Sequence, residues 1–517
     1  MPLHRFLAPL RQNPLVALTL IAVVPRILAA FFSGGYYAHD DHFLMIEAAG
    51  SWVDGADYNR WLPWNQPQPP IPTGHMMVYP GLHFLLFTLL KAIGISTPGP
   101  QMVVVRLLHA AWSLLVVRVG YRLALRASGP ETAWRCGLFL ALFFFMPFLS
   151  VRNLIEMVSA PLLMLAAWHA WQGVEQDRWR SVALAGLFAG LALNIRFQTL
   201  FFVGGMGLAF LLLRHWRSAV VFGIAALVPL VVLQGAIDLV IWGRPFVELA
   251  EYVGYNADNV TTYFDLPWYN YLLLLAGIFI PPLSLAVLFG FVRRPKPLVI
   301  WLPVLCFIAA HSVFPNKQER FILPIVPLFF VLGYTSWEAF RSTSGWWRAR
   351  TGLWRGILRW TWGLNLLLLV PLTFSYSKRE RVEAMLLLRD APEVTGIITE
   401  DVVERDTPMP PLYYWGAWQA QNLSYTDSLQ DLAPTLNAFP EAHRANAVLF
   451  LGEEDLDRRR ARMERFLGPM TLVGRAEPGL LDRTMHWLNP VNRNTVITIY
   501  RANKGLAPAT TPQPPDR

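Results

Sequence analysis

The chain has 517 residues, of which 54% are hydrophobic and only 15% charged. A soluble enzyme carries charge on about a quarter of its residues, so a water-soluble globular body is excluded, and an aromatic share of 13% suits a chain with many membrane–water interfaces. The net charge of +9 does not point to nucleic acid, because Lys and Arg gather in short segments between apolar runs, as the positive-inside rule requires.

The two cysteines, Cys136 and Cys306, lie inside apolar runs and give neither a disulfide framework nor a metal cluster. The chain opens with basic residues and then an apolar stretch that is long and lacks a clear cleavage site, which reads as an uncleaved first membrane helix. Apolar runs that span, or nearly span, a bilayer follow at 14–33, 76–95, 102–121, 134–149, 154–171, 181–213, 218–241, 270–292, 298–313, 321–340 and 357–375. They predict an all-α polytopic body of about 11–12 transmembrane helices. Asn194 and Arg196 interrupt the run 181–213, which is either one broken helix or two short ones.

Arg5 and Arg11 precede the first span; Arg214 and Arg217, then Arg293, Arg294 and Lys296, then Arg341, Arg348, Arg350, Arg355 and Arg359 mark further basic loops. Placed in the cytoplasm, they put loops 34–75, 242–269 and 314–320 and the tail after about 376 on the far side, with Arg122 and Arg126 there against the trend. The tail is charged throughout and carries β-type runs, "VTGIITE", "NAVLFLG", "MTLVGRA" and "NTVITIY", around helix-like stretches such as "EEDLDRRRARMERFLG". The division expected is a transmembrane body over 1–375 with its first outside loop at 34–75, a small extracytoplasmic α/β domain over 376–505, and a Pro- and Thr-rich disordered end at 506–517. Neither GxxxxGK[ST] nor GxGxxG occurs, which argues against an ATP-driven pump with its own motor.

Five stretches carry side chains suited to chemistry. In "GGYYAHDDHFLMIEAAGSW", Asp40 and Asp41 are flanked by His39 and His42, and Glu47 stands seven residues after Asp40, two turns of an α-helix and hence the same face. A carboxylate there suits a general base taking the proton of an acceptor hydroxyl, or a solvated helix N-terminus. Four consecutive ligand types do not converge on one ion, so no metal is assigned. In "SVRNLIEMVSAP", Arg152 and Glu156 have i,i+4 spacing and read as an ion pair or a substrate contact. "LNIRFQ" offers Arg196, and the Tyr-rich loop ending "YFDLPWYNYL" contains Trp268 and reads as a cavity cover or an interfacial loop. In "HSVFPNKQERFILPIVP", Lys317 and Arg320 flank Gln318 and Glu319 at the edge of a span, on the side where cations are disfavoured. Arg binds a phosphate bidentately and Lys as a point charge.

Taken in order, these motifs resemble those of the family 22 mannosyltransferases, the polytopic enzymes of GPI-anchor and dolichol-linked oligosaccharide assembly. "DDHFLMIE" is similar to their D-E-x-[FW]-x-x-x-E motif, "RNLIEMVSAPLL" to R-x-x-S-N-x-x-E, "LALNIRFQTLFFV" to G-x-x-x-x-x-R-P-T, "YFDLPWYNYL" to Y-G-x-x-P-W-x-x-Y and "NKQERFILPIVP" to H-K-E-x-R-F-x-x-P-x-x-P. The chain departs from these patterns at Asn316, Gln318, Phe197 and Gln198. The resemblance implies a GT-C fold and an inverting transfer of mannose from a polyprenyl-phosphate donor to a lipid-linked or glycan acceptor on the extracytoplasmic face, with no cofactor. It puts Asp40 at the base, with Asp41 beside it, and Lys317, Arg320 and Arg196 at the donor phosphate. It places His42, Glu47, Arg152, Glu156, Trp268 and Glu319 around the substrates, with the loops of Asp40 and Lys317 facing each other. The implied setting is a bacterial cytoplasmic membrane with an undecaprenyl- or decaprenyl-type carrier. The competing class is a polytopic transporter or lipid-linked-sugar flippase, which calls for inverted repeats and charges near the midplane; no repeat is evident.

Overall fold

The computed structural model describes residues 13–262, 265–293, 297–401, 407–425, 429–490 and 493–503. Arg5, Arg11, Arg294, Lys296 and the end 506–517 lie outside the described residues. The chain forms two compact units, the first of residues 1–33, 60–82 and 102–374 and the second of 34–59, 83–101 and 375–517.

The first unit is helical. In hydrocarbon every backbone N–H and C=O must be satisfied within the segment, and the α-helix does this residue by residue. The predicted apolar runs become helical, those at 134–149, 181–213 and 270–292 as two helices each, and among the described residues five helices are long and apolar enough to cross a membrane singly: Pro14–Phe32, Pro98–Ser128, Trp216–Trp242, Glu319–Thr343 and Thr351–Thr373. The first starts at Pro14, pre-set for the first helical position, with the Asn13 side chain accepting from Val16 N. Large apolar side chains such as Leu20, Val24, Ile224 and Leu367 face outward from such helices, as lipid contact allows.

The ambiguous run 181–213 resolves into two helices, Trp179–Ile195 and Leu200–Leu212, joined by a 3₁₀ turn at Phe197–Thr199. At the break the Asn194 side chain donates to Gly190 O at 2.8 Å, and Arg196 is extended. The first of these helices packs closely on Trp216–Pro229: a Cβ on Gly186 or Gly190 would stand 2.4 and 2.2 Å from the carbonyl oxygens of Phe222 and Ala226, so this Gly-x-x-x-Gly face is what permits the contact. Near the end of the unit a buried 3₁₀ segment, Glu319–Ile325, runs directly into the buried helix Val326–Thr343. Pro324 and Pro327 lie at this change of helix type, where backbone donors are dispensable.

Arg26, in the middle of the first span, is buried and fully employed. It donates to Ser113 Oγ at 2.9 Å, to Ala141 O at 2.8 Å and to Leu140 O at 3.3 Å. The last two are orphan carbonyls at the end of the helix Pro130–Leu142. Asn365 satisfies Leu142 O and Phe144 N at the same helix end.

In the second unit the charged tail builds a five-stranded sheet from β1 (Ile397–Asp401), β2 (Asn422–Tyr425), β3 (Ala447–Leu451), β4 (Met470–Ala476) and β5 (Ile497–Ala502), in the order β2-β1-β3-β5-β4. The β1 strand is parallel to β2 and β3; β5 is antiparallel to β3 and β4. Ile398, Val448 and Phe450 pack with Met463 and Leu467 of the helix Leu456–Leu467. That helix also lends Arg459, which holds the buried Glu400 of β1. Strand β2 escapes the sequence reading because "NLSY" is four residues long and only half apolar. Residues 34–59 add a short helical segment to this unit, bridged at Gly35 to Ser377.

Candidate functional site

In the first unit the charges meet around Glu156. This residue lies in the first turn of the helix Ile155–Gln176, where a carboxylate is favoured by the free N–H groups. It is wholly buried, with Arg196 Nη2 at 3.1 Å and Arg320 Nε at 3.9 Å. Phe321 lies under both cations, its ring centre 4.9 Å from the Arg196 guanidinium and 5.5 Å from that of Arg320. Arg320 Nε also donates to Gln318 Oε1 at 2.7 Å, and Tyr271 holds Gln318 O at 3.1 Å. Two guanidiniums thus meet at one buried carboxylate, and among the described residues Arg196 Nε meets no acceptor. Guanidiniums are the side chains that bind a phosphate bidentately.

Tyr252, which the sequence did not single out, belongs to this group. Its phenol is buried and raised in pKa by that burial, opposed by the charge of Arg196 and a hydrogen bond with Gln198. Gln198 stands where the family pattern has Thr, and it ties the break of the span to the tyrosine. Glu248, also unforeseen, accepts from Met77 N at 3.2 Å, Gln234 Nε2 at 2.8 Å and Trp242 Nε1 at 3.0 Å, and burial pushes its carboxyl up to about 8. No spacing rule links these partners along the chain.

Several expected roles shift. Arg152 and Glu156 do not share helical i,i+4 geometry, because the helix begins only at Ile155; Arg152 sits in the preceding turn and donates to Ser33 Oγ at 2.8 Å. Lys317 is buried, and its ammonium donates to Leu266 O at 2.8 Å and to Phe314 O. Burial lowers its pKa against the pull of Asp265. It therefore clamps the 265–266 segment to 314–317, alongside the bridge between Asp265 and Asn316. Trp268 is 65% exposed and Glu319 points outward at the start of the 3₁₀ segment.

In the second unit Asp40 and Asp41 open a helical segment, as expected, but residues Asp41–Glu47 form a π-helix. With i→i+5 bonding, residues five apart stack; in an α-helix they would diverge by about 140°. Hence His42, not Asp40, meets Glu47, with Nε2 3.4 Å from Oε1. The expectation that Asp40 and Glu47 share a face rested on α-helical spacing and fails for that reason. His42 is stacked between Tyr36, at 4.5 Å, and Tyr414, at 5.6 Å. Glu47 is wholly buried and accepts from Tyr413 N at 3.2 Å. Burial drives the His42 imidazole down to about 3 and the Glu47 carboxyl well above its ordinary range. The pair is thus a neutral, packed foot beneath the helix, while Asp40 stays half-buried at its start and Asp41 is buried in its first turn.

A family model described as the Alg9-like mannosyltransferase family matches residues 17–395, a stretch that includes every residue of both sets except Tyr413 and Tyr414. Among curated proteins no match is found. Among solved structures, ArnT from Cupriavidus metallidurans bound to undecaprenyl phosphate superposes with a TM-score of 0.63 at 12% identity, over 96% of this chain and 99% of that one. Its apo state gives 0.58 at 14% identity, over 94% and 97%. The apo oligosaccharyltransferase of Archaeoglobus fulgidus gives 0.50 at 12% identity, over 86% and 70%. These are GT-C proteins, and the likeness shows that the chain has this fold: a multi-pass helical membrane body with a small C-terminal sheet.

Proposed function

The chain belongs to the Alg9-like mannosyltransferase family and is an integral membrane glycosyltransferase, and on that premise we propose that it transfers mannose from a polyprenyl-phosphate donor to the hydroxyl of a lipid-linked or glycan acceptor. The observation that carries the donor half is the meeting of Arg196 and Arg320 at the buried Glu156, since guanidiniums are the donors that hold a phosphate bidentately. The binding of undecaprenyl phosphate by the similar ArnT supports a carrier of that class. The Lys and Arg bias of the loops supports an extracytoplasmic reaction, and the setting proposed is a bacterial cytoplasmic membrane.

Asp40 takes the proton of the acceptor hydroxyl. The hydroxyl oxygen attacks the anomeric carbon from the side opposite the phosphate. The bond from that carbon to the phosphate oxygen breaks, its electron pair leaves with the polyprenyl phosphate, and the configuration inverts. Arg196 and Arg320 stabilise the charge that grows on the leaving group. Lys317 serves the fold by fastening its loop to Leu266 and Phe314, and Tyr252 and Gln198 orient Arg196.

The test is transfer of label from polyprenyl-phosphate [³H]mannose by the purified protein. Asp40→Asn is expected to lower the rate by about 10²–10⁴-fold with the fold intact. A fully active Asp40→Asn protein removes the base assignment, and absence of transfer by the unaltered protein with any lipid-linked acceptor removes the donor.

A further inference from the structure

The second unit holds a cleft of about 350 Å³ that the transfer step does not use. Its floor is Tyr413, whose ring stacks on Phe87 at 5.4 Å and whose hydroxyl donates to Gln101 Oε1 at 2.6 Å. Gly50 makes room for this ring, since a Cβ there would stand 2.6 Å from Tyr413 Cδ2. On the rim, Asp54 fixes two neighbours: Trp418 Nε1 donates to Oδ2 at 2.9 Å and Lys91 Nζ to Oδ1 at 2.7 Å. Gly416, at φ +81, takes a conformation that favours glycine and leaves the rim open toward Arg389.

This lining selects among ligands. An apolar ligand would strip water from the half-exposed Lys91–Asp54 pair and from the exposed Arg389 without replacing it. A bare anion would meet the Asp54 carboxylate and gain nothing from the rings. A pyranose offers one face of C–H groups for an indole or phenol and an edge of hydroxyls for carboxylate, guanidinium and amide, and the rings are already locked by hydrogen bonds, so little ordering remains to be done on binding. We propose that the cleft is a second saccharide site that holds one hexopyranose residue. If the transferase reading holds, that residue belongs to a glycan substrate; the binding itself does not depend on Asp40 or on the donor.

The experiment is photoaffinity labelling of the full chain in lipid nanodiscs with a diazirine-bearing α-mannopyranoside, read by peptide mass spectrometry. Label is expected on peptides from 50–54, 87–101 and 389–418, protected by excess methyl α-mannopyranoside but not by inorganic phosphate. Trp418→Ala and Asp54→Asn are expected to lower it at least about tenfold, and Asp40→Asn to leave it unchanged. Arg389→Ala, at an exposed position that the core does not need, is the variant that keeps its fold if the others do not, and it too is expected to lose label. Label confined to other peptides, label indifferent to all three cleft variants, or protection by phosphate as strong as by the glycoside would each overturn the proposal. Loss of transfer with labelling intact would instead count against the transferase reading alone.

Discussion

Arg26 and Arg196 are both buried arginines in apolar runs, and they are used in opposite ways. The guanidinium of Arg26 is saturated by a hydroxyl and by the last carbonyls of a helix, acceptors fixed by the fold. Arg196 stands at the break of a span, shares Glu156 with Arg320, and among the described residues keeps Nε without an acceptor. A charge at membrane depth is a reason to look for function. What separates the two is the donor inventory: a guanidinium whose N–H groups end on acceptors fixed by the fold serves as a cap, and one with a donor to spare beside a second cation is the one proposed to meet the donor phosphate.

The widest separation between the two regions is expected from Arg26→Met. It strips the carbonyls of Leu140 and Ala141 of their donor, at a cost of about 3 kcal/mol in stability, while transfer per folded molecule stays unchanged. Glu156→Gln is expected to cost about 3 kcal/mol by removing the buried carboxylate that Arg196 and Arg320 share, and it should also alter transfer per folded molecule. Thermal unfolding and activity normalised to folded protein measure both. If the two variants affect activity alike, the distinction between cap and site is broken.

Much of this was legible in the sequence. The apolar runs became helices because length and hydropathy leave lipid-embedded chain no alternative. The run broken at Asn194 and Arg196 divides there, and four of five strands were readable from alternating β-branched residues. The partners of Glu156 were not readable as partners. Its nearest cation, Arg196, comes from another helix end, whereas local spacing suggested Arg152. The π-turn was hidden for a different reason: "DHFLMIE" carries nothing that distinguishes i→i+4 from i→i+5 bonding, and the choice is made by Tyr36, Tyr413 and Tyr414 packing on His42 and Glu47.

Lys317 tests the comparison at its boundary. Two of its three donors end on backbone carbonyls, like those of Arg26, although it sits in the same motif as Arg320. Lys317→Met is expected to lose about 1–2 kcal/mol of stability with little change in KM for the donor, whereas Arg320→Ala should raise that KM about tenfold. A comparable rise in Lys317→Met would place the lysine at the phosphate.

The smallest effect is expected at the His42–Glu47 foot, where two groups titrate in opposite senses. The Glu47 carboxyl is raised above its ordinary 4.5, so above that pH the unfolded chain gives up a proton that the folded one keeps, and stability falls as pH rises, by at most about 1.4 kcal/mol per unit. The His42 imidazole is lowered from 6.5 to about 3, so between those values the unfolded chain binds a proton that the folded one refuses, and stability rises with pH by a similar slope. Above 4.5 the two slopes oppose each other, and the His42 contribution ends at 6.5. Glu47→Gln preserves the amide-like shape and the contact with Tyr413 N but removes one titration. Its stability is therefore expected to rise with pH up to 6.5 and then level off, whereas in the unaltered protein the opposing Glu47 titration makes that rise smaller. Thermal midpoints of the two proteins across this range should differ in slope; parallel profiles would mean that the foot is hydrated and that its π-turn is not held by a neutral, buried pair.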